Sequence, residues 1–203
     1  MNKTDIYILG AGGHTRSLLN LLDKYTVKGI LDESYQKDSY EEVCGIPLIA
    51  HTADAILYKN IVISSGNPAI REKWATVKGM QLLPDNLIHA KAYIEKYVTM
   101  ASSNQIMAMA YINSYVIVGS NNLINTGAII EHEVTIGNNN HISIGVCIGG
   151  RSSIGNNCFI GASAVVIDKV SVADNVIIGA NSLVLKDISE AGTYVGSPVR
   201  KIK

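Results

Sequence analysis

Residues 124–160, INTGAIIEHEVTIGNNNHISIGVCIGGRSSIGNNCFI, carry an isoleucine at every sixth position. The same period extends in both directions, from Ile88 to Val184, as seventeen consecutive aliphatic or methionine residues without an insertion. An α-helix repeats about every 3.6 residues and a β-strand every two, so neither explains a period of six. A coil with three short flat faces does explain it, with one hexad on each face and three hexads in each turn.

Two companion positions support the coil. The residue two before each aliphatic position is small or slender, and the residue after it is often glycine. Because residues i and i+2 of a strand point to the same side, each face would send one aliphatic and one small side chain into a narrow interior. Glycine and asparagine would permit the turns at the corners, and stacked coils would pair their backbones about 4.8 Å apart. The alternative, an isoleucine-rich β-sandwich, would not hold one register for so long.

The composition is that of a folded chain with balanced charge. Its 203 residues are 47% hydrophobic, enough for one large domain or two small ones. Lys plus Arg equals Asp plus Glu at 17 each, so we expect no general attraction to nucleic acid or membrane surfaces. Three cysteines without close pairing fit a reducing compartment. The first apolar run is too short for a signal peptide and nothing approaches a membrane span, so we predict a cytoplasmic protein without membrane insertion.

The N-terminal part begins with a strand, a glycine loop and a helix. Residues 5–9 predict a buried strand, which runs into Gly10-Ala11-Gly12-Gly13-His14 and then an amphipathic helix. This order places backbone N–H groups and a helix dipole around an anion such as a phosphate. A second strand at 27–31 ends in Asp32, at the spacing where an acid often contacts a ribose or base.

A third strand is predicted at 60–64, followed by a loop with Gly66 and Asn67 and by a helix that begins at Pro68. Residues 81–84 could form a last short strand. Strands that alternate with helices predict a small parallel α/β domain, Rossmann-like, over residues 1–86. Residues 87–203 then form the coil domain, whose C-terminal tail covers the last coil as a cap.

The glycine loop departs from the dinucleotide fingerprint, because Thr15 stands where a third glycine or alanine is expected. NAD is therefore a weak interpretation, and a nucleotide-sugar diphosphate is the more attractive ligand. A glycine loop that serves only as a tight turn is the alternative.

Two histidines interrupt the coil pattern. His132 lies between Glu131 and Glu133, and a carboxylate beside an imidazole can fix its tautomer and stabilise the imidazolium, so His132 is a candidate general base. A solvated histidine in a charged corner is the alternative. A zinc site would need His132, His141 and the distant His89 together, with no cysteine pair to assist, so we predict no metal.

The hexad rule, with its small and glycine positions, resembles the hexapeptide-repeat acyltransferases, which fold as left-handed parallel β-helices. The loop Gly10–His14, the run Ile130-Glu131-His132-Glu133 and the closing Gly196-Ser197-Pro198 make the resemblance more specific. They are similar to the subgroup of sialic-acid O-acetyltransferases and nucleotide-linked amino-sugar N-acetyltransferases. The resemblance covers essentially the whole chain. It implies an α/β Rossmann-like domain followed by an all-β left-handed parallel β-helix.

The resemblance also implies roles for individual residues. His132 matches the catalytic base and Glu133 the acid that orients it. The positions that would contact acetyl-CoA are His141, Gly150, Ala162 and Ala180. The positions that would bind the nucleotide sugar are Gly12, Gly13, His14, Asp32, Gly66 and Asn67. The bulkier residues of the lower coils, among them Met107 and Tyr97, are interpreted as outward residues at a subunit or domain face.

The resulting hypothesis is an acetyl-CoA-dependent N-acetyltransferase that acts on a UDP- or dTDP-linked 4-amino-deoxy sugar for surface glycans such as lipopolysaccharide or capsule. His132 would take a proton as the amine attacks the thioester, with direct transfer and no covalent enzyme intermediate. The N–H of Gly150 is a candidate oxyanion donor. Three alternatives stay open: a sialic-acid-type O-acetyltransferase, a trimeric nucleotide-sugar-binding scaffold without activity, and a γ-type carbonic anhydrase. The resemblance also implies a homotrimer with sites between neighbouring coils.

Overall fold

A computed structural model describes residues 3–203, so the first two residues of the predicted N-terminal domain lie outside the described residues. The elements of the N-terminal part are β1 (Thr4–Leu9), α1 (Gly13–Leu18), β2 (Tyr25–Leu31), β3 (Glu42–Val43), β4 (Ile46–Ala50), β5 (Ile61–Ile63) and α2 (Pro68–Thr76), with short 3₁₀ helices at Leu19–Leu21 and Thr52–Leu57. The five strands form one sheet in the order β3-β4-β2-β1-β5. All its pairings are parallel except that of β3 with β4.

The structure extends the predicted set of strands in this domain. The antiparallel pair β3 and β4 lies between the predicted second and third strands, so the predicted strand at 60–64 is the fifth along the chain. The segment 81–84 contributes only an isolated bridge from Leu82 to Ile61, which is too short to count as a strand. Helix α2 begins at Pro68 as predicted, and the side chain of Asn67 caps it by accepting from the N–H of Ala69 at 2.9 Å.

The C-terminal part is a coil of seventeen short strands on three faces. The first face carries β6, β9, β12, β15, β18 and β21; the second carries β7, β10, β13, β16, β19 and β22; the third carries β8, β11, β14, β17 and β20. Their bounds are β6 (Leu87–Ile88), β7 (Tyr93–Ile94), β8 (Thr99–Met100), β9 (Gln105–Ile106), β10 (Tyr111–Ile112), β11 (Ile117–Val118), β12 (Leu123–Ile124), β13 (Ile129–Ile130), β14 (Thr135–Ile136), β15 (His141–Ile142), β16 (Cys147–Ile148), β17 (Ser153–Ile154), β18 (Phe159–Ile160), β19 (Val165–Val166), β20 (Ser171–Val172), β21 (Val176–Ile178) and β22 (Leu183–Val184).

Each of these strands ends on the aliphatic position of a hexad, and those side chains from Ile106 to Val184 are buried. The small residues two positions earlier are buried with them, and where that residue is asparagine the amides form a ladder between coils. Asn122, for example, donates from Nδ2 to Oδ1 of Asn104 at 3.0 Å and to the carbonyl of Gly137 at 2.8 Å. Ile88 is the exception in the lowest coil, where its side chain is 42% exposed.

The corners differ from the expected use of glycine. The left-handed backbone conformation recurs three residues after the aliphatic position, usually at residues other than glycine, such as Tyr115, Glu133 and Asn157 with φ of 62°, 61° and 57°. The glycine that follows the aliphatic residue serves close stacking instead. A Cβ on Gly137 would lie 2.6 Å from the carbonyl oxygen of Gly155 in the next coil. Asparagine therefore provides turns, as predicted, whereas these glycines set the spacing between coils.

The two parts share a hydrophobic core. Leu83, Leu87, Met107 and Leu123 from the junction and the first face pack into the same cluster as Ile6 and its neighbours in the N-terminal sheet. Met107 is thus an outward residue of the coil that faces the other domain, as predicted. The first face of the coil is therefore the one that carries the N-terminal domain.

The tail continues the first face with β23 (Gly192–Val195), parallel to β21, and β24 (Arg200–Lys201), antiparallel to β23. Ile188 bridges to Val172 on the third face. These contacts cover the last coil, and β23 pairs with the edge of β21 that would otherwise be free on the first face. Among residues 3–203, no helix has both the length and the apolar character that crossing a membrane requires.

Candidate active site

The glycine loop is fixed by contacts between β1 and β5. Gly10 has a φ of 109°, and a Cβ there would lie 2.9 Å from the carbonyl oxygen of Ser64. The hydroxyl of the buried Thr15 donates to the carbonyl of Gly10 at 2.8 Å, and its Oγ1 lies 2.8 Å from Oγ of Ser64. Thr15 therefore stands where the fingerprint has a small residue, and its hydroxyl links Gly10 in the first loop to Ser64 at the start of the third loop.

Asp32 lies against this loop, as its spacing predicted. Its carboxylate accepts the N–H of Ala11 at 2.6 Å and both the N–H and the hydroxyl of Ser34 at 3.0 and 2.7 Å. Partial burial alone would raise the pKa of Asp32, but these hydrogen bonds outweigh it and lower the pKa, so the group is ionised at neutral pH. Gly12 and Asp32 line a cleft of about 240 Å³ together with residues that include Trp74. Gly12 and Gly13 have open space where a Cβ would be, which leaves their backbone approachable.

His14, at the end of the loop, contacts the coil. Nε2 of His14 lies 2.8 Å from Oε1 of Gln105, while Nε2 of Gln105 donates to the carbonyl of Ile63 at 2.8 Å. Because that second bond fixes the orientation of the amide, His14 donates from Nε2 and keeps Nδ1 as an acceptor. Burial lowers the pKa of His14 further than the hydrogen bond raises it. Gln105 was not among the predicted residues, although it is a polar residue in a strand of the first face, whose outward positions are mostly apolar.

His141 lies on the first face, opposite the third loop of the N-terminal domain. Its Nδ1 donates to the carbonyl of Gly66 at 2.7 Å, and its Nε2 lies 3.1 Å from Nδ2 of Asn125. Oδ1 of Asn125 accepts from the N–H of Thr126, so Nδ2 is the atom that donates to the imidazole. Burial lowers the pKa of His141 to about 4, and the ring is therefore neutral at pH 7 with both nitrogens bonded.

The third loop of the N-terminal domain, with Gly66 and Asn67, lines a cavity of about 610 Å³ together with His141. Gly66 allows the close approach of His141, because a Cβ there would make a tight contact of 3.0 Å with Cε1 of the imidazole. Phe159 meets the imidazole edge-on at 5.0 Å between ring centres, and Ile177 lies one coil higher. The predicted residues Gly66, Asn67 and His141 thus come together here, whereas Phe159 and Ile177 carried no signal beyond their place in the hexads.

His132 occupies the corner between the second and third faces. Its Nδ1 lies 3.0 Å from Oε2 of Glu133. Because a carboxylate can only accept, Nδ1 carries the hydrogen and Nε2 keeps a free lone pair. Glu131 does not contact the ring; its carboxylate accepts from Nδ2 of Asn113 at 2.7 Å. The dyad of His132 and Glu133 thus has the geometry of an oriented base.

Gly150 lies directly above His132 in the next coil. A Cβ on Gly150 would come within 2.7 Å of both Cε1 and Nε2 of His132, so glycine keeps the free nitrogen accessible. The N–H of Gly150 donates to Oδ1 of Asp168 at 2.9 Å. That hydrogen is therefore engaged, and its predicted use toward an oxyanion would require it to leave Asp168.

Ala162 and Ala180 stack on each other at the corner between the first and second faces. The N–H of Asn181 donates to the carbonyl of Ala162 at 2.8 Å, which fixes the two coils in register. Both positions are at least partly exposed and present no long side chain. This corner is separate from the one that carries His132 and Gly150.

Two clusters of predicted residues lie on opposite sides of one chain, apart from the cleft at Gly12 and Asp32 and the corner at Ala162 and Ala180. His14, Gly66, Asn67 and His141 lie where the N-terminal domain meets the first face. His132, Glu133 and Gly150 lie at the corner between the other two faces, which is opposite the first face. One chain alone therefore does not bring the base to the cavity beside His141.

The histidines that a zinc site would need do not converge. His89, His132 and His141 belong to different columns of the coil, and Nδ1 of His89 accepts the N–H of Lys91 at 3.0 Å. Within residues 3–203 no three His, Cys, Asp or Glu side chains form a group suited to a metal ion.

Comparison with protein families matches two regions of the chain. The family described as PglD N-terminal domain matches residues 5–77, and bacterial transferase hexapeptide (six repeats) matches residues 151–186. Among curated protein sequences no significant match was found.

Solved structures match over nearly the whole chain. The acetyltransferase domain of PglB from Neisseria gonorrhoeae, in complex with acetyl coenzyme A, is 25% identical with a TM-score of 0.88, over 99% of this chain and 100% of that one. A variant of GDP-perosamine N-acetyltransferase from Caulobacter crescentus, in complex with CoA and GDP-perosamine, is 24% identical with a TM-score of 0.89, over 98% and 97%. WeeI from Acinetobacter baumannii is 17% identical with a TM-score of 0.62, over 98% and 100%. The predicted fold class, a Rossmann-like domain followed by a left-handed parallel β-helix, is confirmed.

Proposed function

We propose that this chain, an acyltransferase of the hexapeptide-repeat family, is an acetyl-CoA-dependent N-acetyltransferase that acts on a UDP- or dTDP-linked 4-amino-deoxy sugar. The observation that carries the proposal is the dyad of His132 and Glu133, whose free Nε2 lies beside a glycine on the coil. The chain joins this dyad to an N-terminal domain with an open glycine loop. The similarity to structures that bind acetyl coenzyme A, or CoA and an amino-sugar nucleotide, supports the same reaction class.

The acceptor would be held by the N-terminal domain through its nucleotide. Gly12, Gly13 and His14 are the positions for the diphosphate, and Asp32 is the position for the nucleoside. The support is the cleft that Gly12 and Asp32 share and the unobstructed backbone of the loop. The ionised Asp32 favours hydrogen-bond donors, such as ribose hydroxyls or a base N–H, over a phosphate. The third loop, with Gly66 and Asn67, would lie over the sugar end of the same ligand.

Acetyl-CoA, as co-substrate, supplies an acyl group on a thioester. The residues that would lie along it are His141, Gly150, Ala162 and Ala180. Fit is favoured by the short side chains of Ala162 and Ala180, which leave a strip of accessible backbone on two consecutive coils. The neutral His141 adds no charge at the position of a thioester.

His132 would act on the amine. Nε2 takes a proton from the amino group of the sugar while the amino nitrogen bonds to the thioester carbonyl carbon. Glu133 stabilises the resulting imidazolium. The carbon–sulfur bond then breaks, and the imidazolium of His132 returns the proton to the sulfur, so that CoA leaves as the thiol and the base is regenerated. The two cysteines of the coil are poor nucleophiles, since burial raises the pKa of Cys147 and raises that of Cys158 to about 11. Direct transfer is therefore favoured over an acyl-enzyme.

A homotrimer would bring the two clusters together. The corner with His132 faces away from its own N-terminal domain, so the cavity beside His141 would receive the base of a neighbouring chain. Stacked exposed tyrosines on the same side, Tyr97 on Tyr115 at 5.1 Å, offer an apolar surface for that contact. A molar mass of one chain by light scattering would contradict this assembly.

We further propose that the reaction takes place in the cytoplasm and serves surface glycans such as lipopolysaccharide or capsule. The three cysteines are free, which suits a reducing compartment. Fluorescence of a tagged full-length chain after cell fractionation would test the location, and recovery with the periplasmic or membrane fraction would contradict it.

The test of the activity is thiol release from acetyl-CoA in the presence of a panel of UDP-, dTDP- and GDP-linked amino sugars. We expect thiol release with at least one amino sugar and none with the matching sugar that carries a hydroxyl in place of the amine. Release with sialic acids instead would favour O-acetylation. Failure of acetyl-CoA to bind at all would favour a scaffold without activity.

Replacing Gly150 with alanine should impair transfer without loss of folding. The new methyl would lie within 2.7 Å of Nε2 and Cε1 of His132, so the exposed ring must turn away from its bond to Glu133. Because misplacement by about 1 Å can cost about 100-fold, we expect kcat to fall by about that factor. The matched control is Gly127→Asn, at a corner glycine whose Cβ position is open and whose φ of 67° asparagine tolerates. Equal kcat values for Gly150→Ala and the parent chain would contradict the role of His132.

A further inference from the structure

Arg71 is the most deeply buried charged residue of the described chain, and the site as proposed so far does not use it. It lies in α2 and its side chain is completely buried. Its Nε donates to the carbonyl of Asn121 at 2.8 Å and its Nη2 to Oδ1 of the same residue at 2.8 Å. Its Nη1 donates to the carbonyl of Ser65 at 3.0 Å. One guanidinium therefore joins the third loop of the N-terminal domain to a corner of the coil.

The charge of Arg71 has no anionic partner. All the acceptors are neutral carbonyl or amide oxygens, and none of the ion pairs found within residues 3–203 includes Arg71. The neighbouring Glu72 accepts instead from Nδ2 of Asn157 at 2.8 Å. An apolar side chain of similar volume would fill a buried position at lower cost than an uncompensated cation. Packing alone therefore does not account for the buried Arg71.

The contacts of Arg71 end on the loop that His141 also contacts. Arg71 donates to the carbonyl of Ser65. His141, which lines the cavity, donates to the carbonyl of the next residue, Gly66. Asn121 returns a bond from Nδ2 to the carbonyl of Arg71 at 3.2 Å, so the coil also fixes α2. Two consecutive carbonyls are thereby held at fixed positions relative to the first face.

We propose that Arg71 is a positioning residue, which holds the loop Ser65–Gly66 on the coil so that the Gly66 carbonyl keeps the hydrogen of the His141 imidazole on Nδ1 in the active site. The proposal deepens the proposed function, and its kinetic consequences rest on it. Burial lowers the pKa of His141 most, and the nearby His14 and Arg71 lower it further, whereas the hydrogen bond to Gly66 raises it, so the role of Arg71 is to fix the tautomer. His14 from α1 and Arg71 from α2 are the charged or titratable groups that act on His141, and Glu72, which also lines the cavity, is bound to Asn157.

The direct test is proton–nitrogen correlation spectroscopy of the histidine rings in the full-length protein, with the His141 signal assigned from His141→Gln. The parent chain should show the Nδ1–H form with a pKa of about 4. In Arg71→Met we expect the Nδ1–H form of His141 to lose its dominance. Lys73→Met, which removes an exposed cation from the same helix, should leave the Nδ1–H form dominant. A spectrum of folded Arg71→Met that equals the parent would overturn the proposal.

A second variant and a kinetic assay also test the role of Arg71. Should Arg71→Met fail to fold, Asn121→Gly removes one acceptor of the guanidinium, and glycine tolerates the φ of 57° at that corner. It should shift the His141 signal in the same direction, and an unchanged signal would overturn the proposal. In the transfer assay, kcat/KM should fall about tenfold or more for Arg71→Met, with partial rescue by Arg71→Lys, which keeps the charge without the planar fork. Absence of transfer in the parent chain would overturn the proposed function and leave the spectroscopic result as the measure of Arg71.

Discussion

Replacement of His132 with asparagine is expected to lower kcat for acetyl transfer by about 10²- to 10⁴-fold. The substitution removes the free Nε2 that would take the proton, while its smaller amide fits the partly exposed corner. The KM values for the two substrates should change little, because the base acts mainly in the transition state. Steady-state thiol release at saturating substrate measures the effect.

Two further variants separate the roles in the dyad. Glu133→Gln keeps a polar partner for Nδ1 but removes the charge that stabilises the imidazolium, so its loss of kcat should be smaller than that of His132→Asn. Lys96→Gln changes an exposed residue two coils below in the same column and should leave kcat unchanged. Full activity of His132→Asn would show that another group takes the proton.

Replacement of Ile130 with alanine is expected to destabilise the protein by about 2–5 kcal/mol. Ile130 is completely buried in the interior of the coil, and stacked coils above and below hold the backbone so that the cavity cannot collapse. Its neighbour in the same strand, Ile129, points outward and is 40% exposed, so Ile129→Ala is the matched control and should cost much less. Denaturant unfolding at one fixed protein concentration measures both, since a trimer makes stability depend on concentration. Equal costs for the two variants would contradict the inward register of Ile130.

The coil could be predicted from the sequence because the same local pattern recurs in every hexad, with an aliphatic residue at the position that enters the interior. A strand of two residues, or three at Val176–Ile178, ends at each of these positions from Ile88 to Val184. The N-terminal sheet was less accessible, since β3 and β4 are short. Their turn places Cys44 and Gly45 in the left-handed region, with φ of 52° and 78°, and only the glycine of this pair is a usual hairpin signal in a sequence.

The site was predictable where chemistry is local and not where it depends on the fold. His132 and Glu133 are adjacent in sequence, so their contact could be anticipated. The partners that fix the other two histidines are distant in sequence: Gln105 is 91 residues from His14, and Gly66 is 75 residues from His141. Arg71 resembles an ordinary surface residue of an amphipathic helix until the coil is placed against α2. These contacts arise from the docking of the two domains, which no local pattern encodes.

The most direct test of the account is the identity of the product formed from acetyl-CoA and a nucleotide-linked amino sugar, determined by mass spectrometry before and after mild alkaline treatment. The account predicts a singly acetylated nucleotide sugar that survives the treatment as an amide, formed by the parent chain and almost absent with His132→Asn. An alkali-labile ester, no acetylated product from any amino sugar, or equal product from His132→Asn would contradict it.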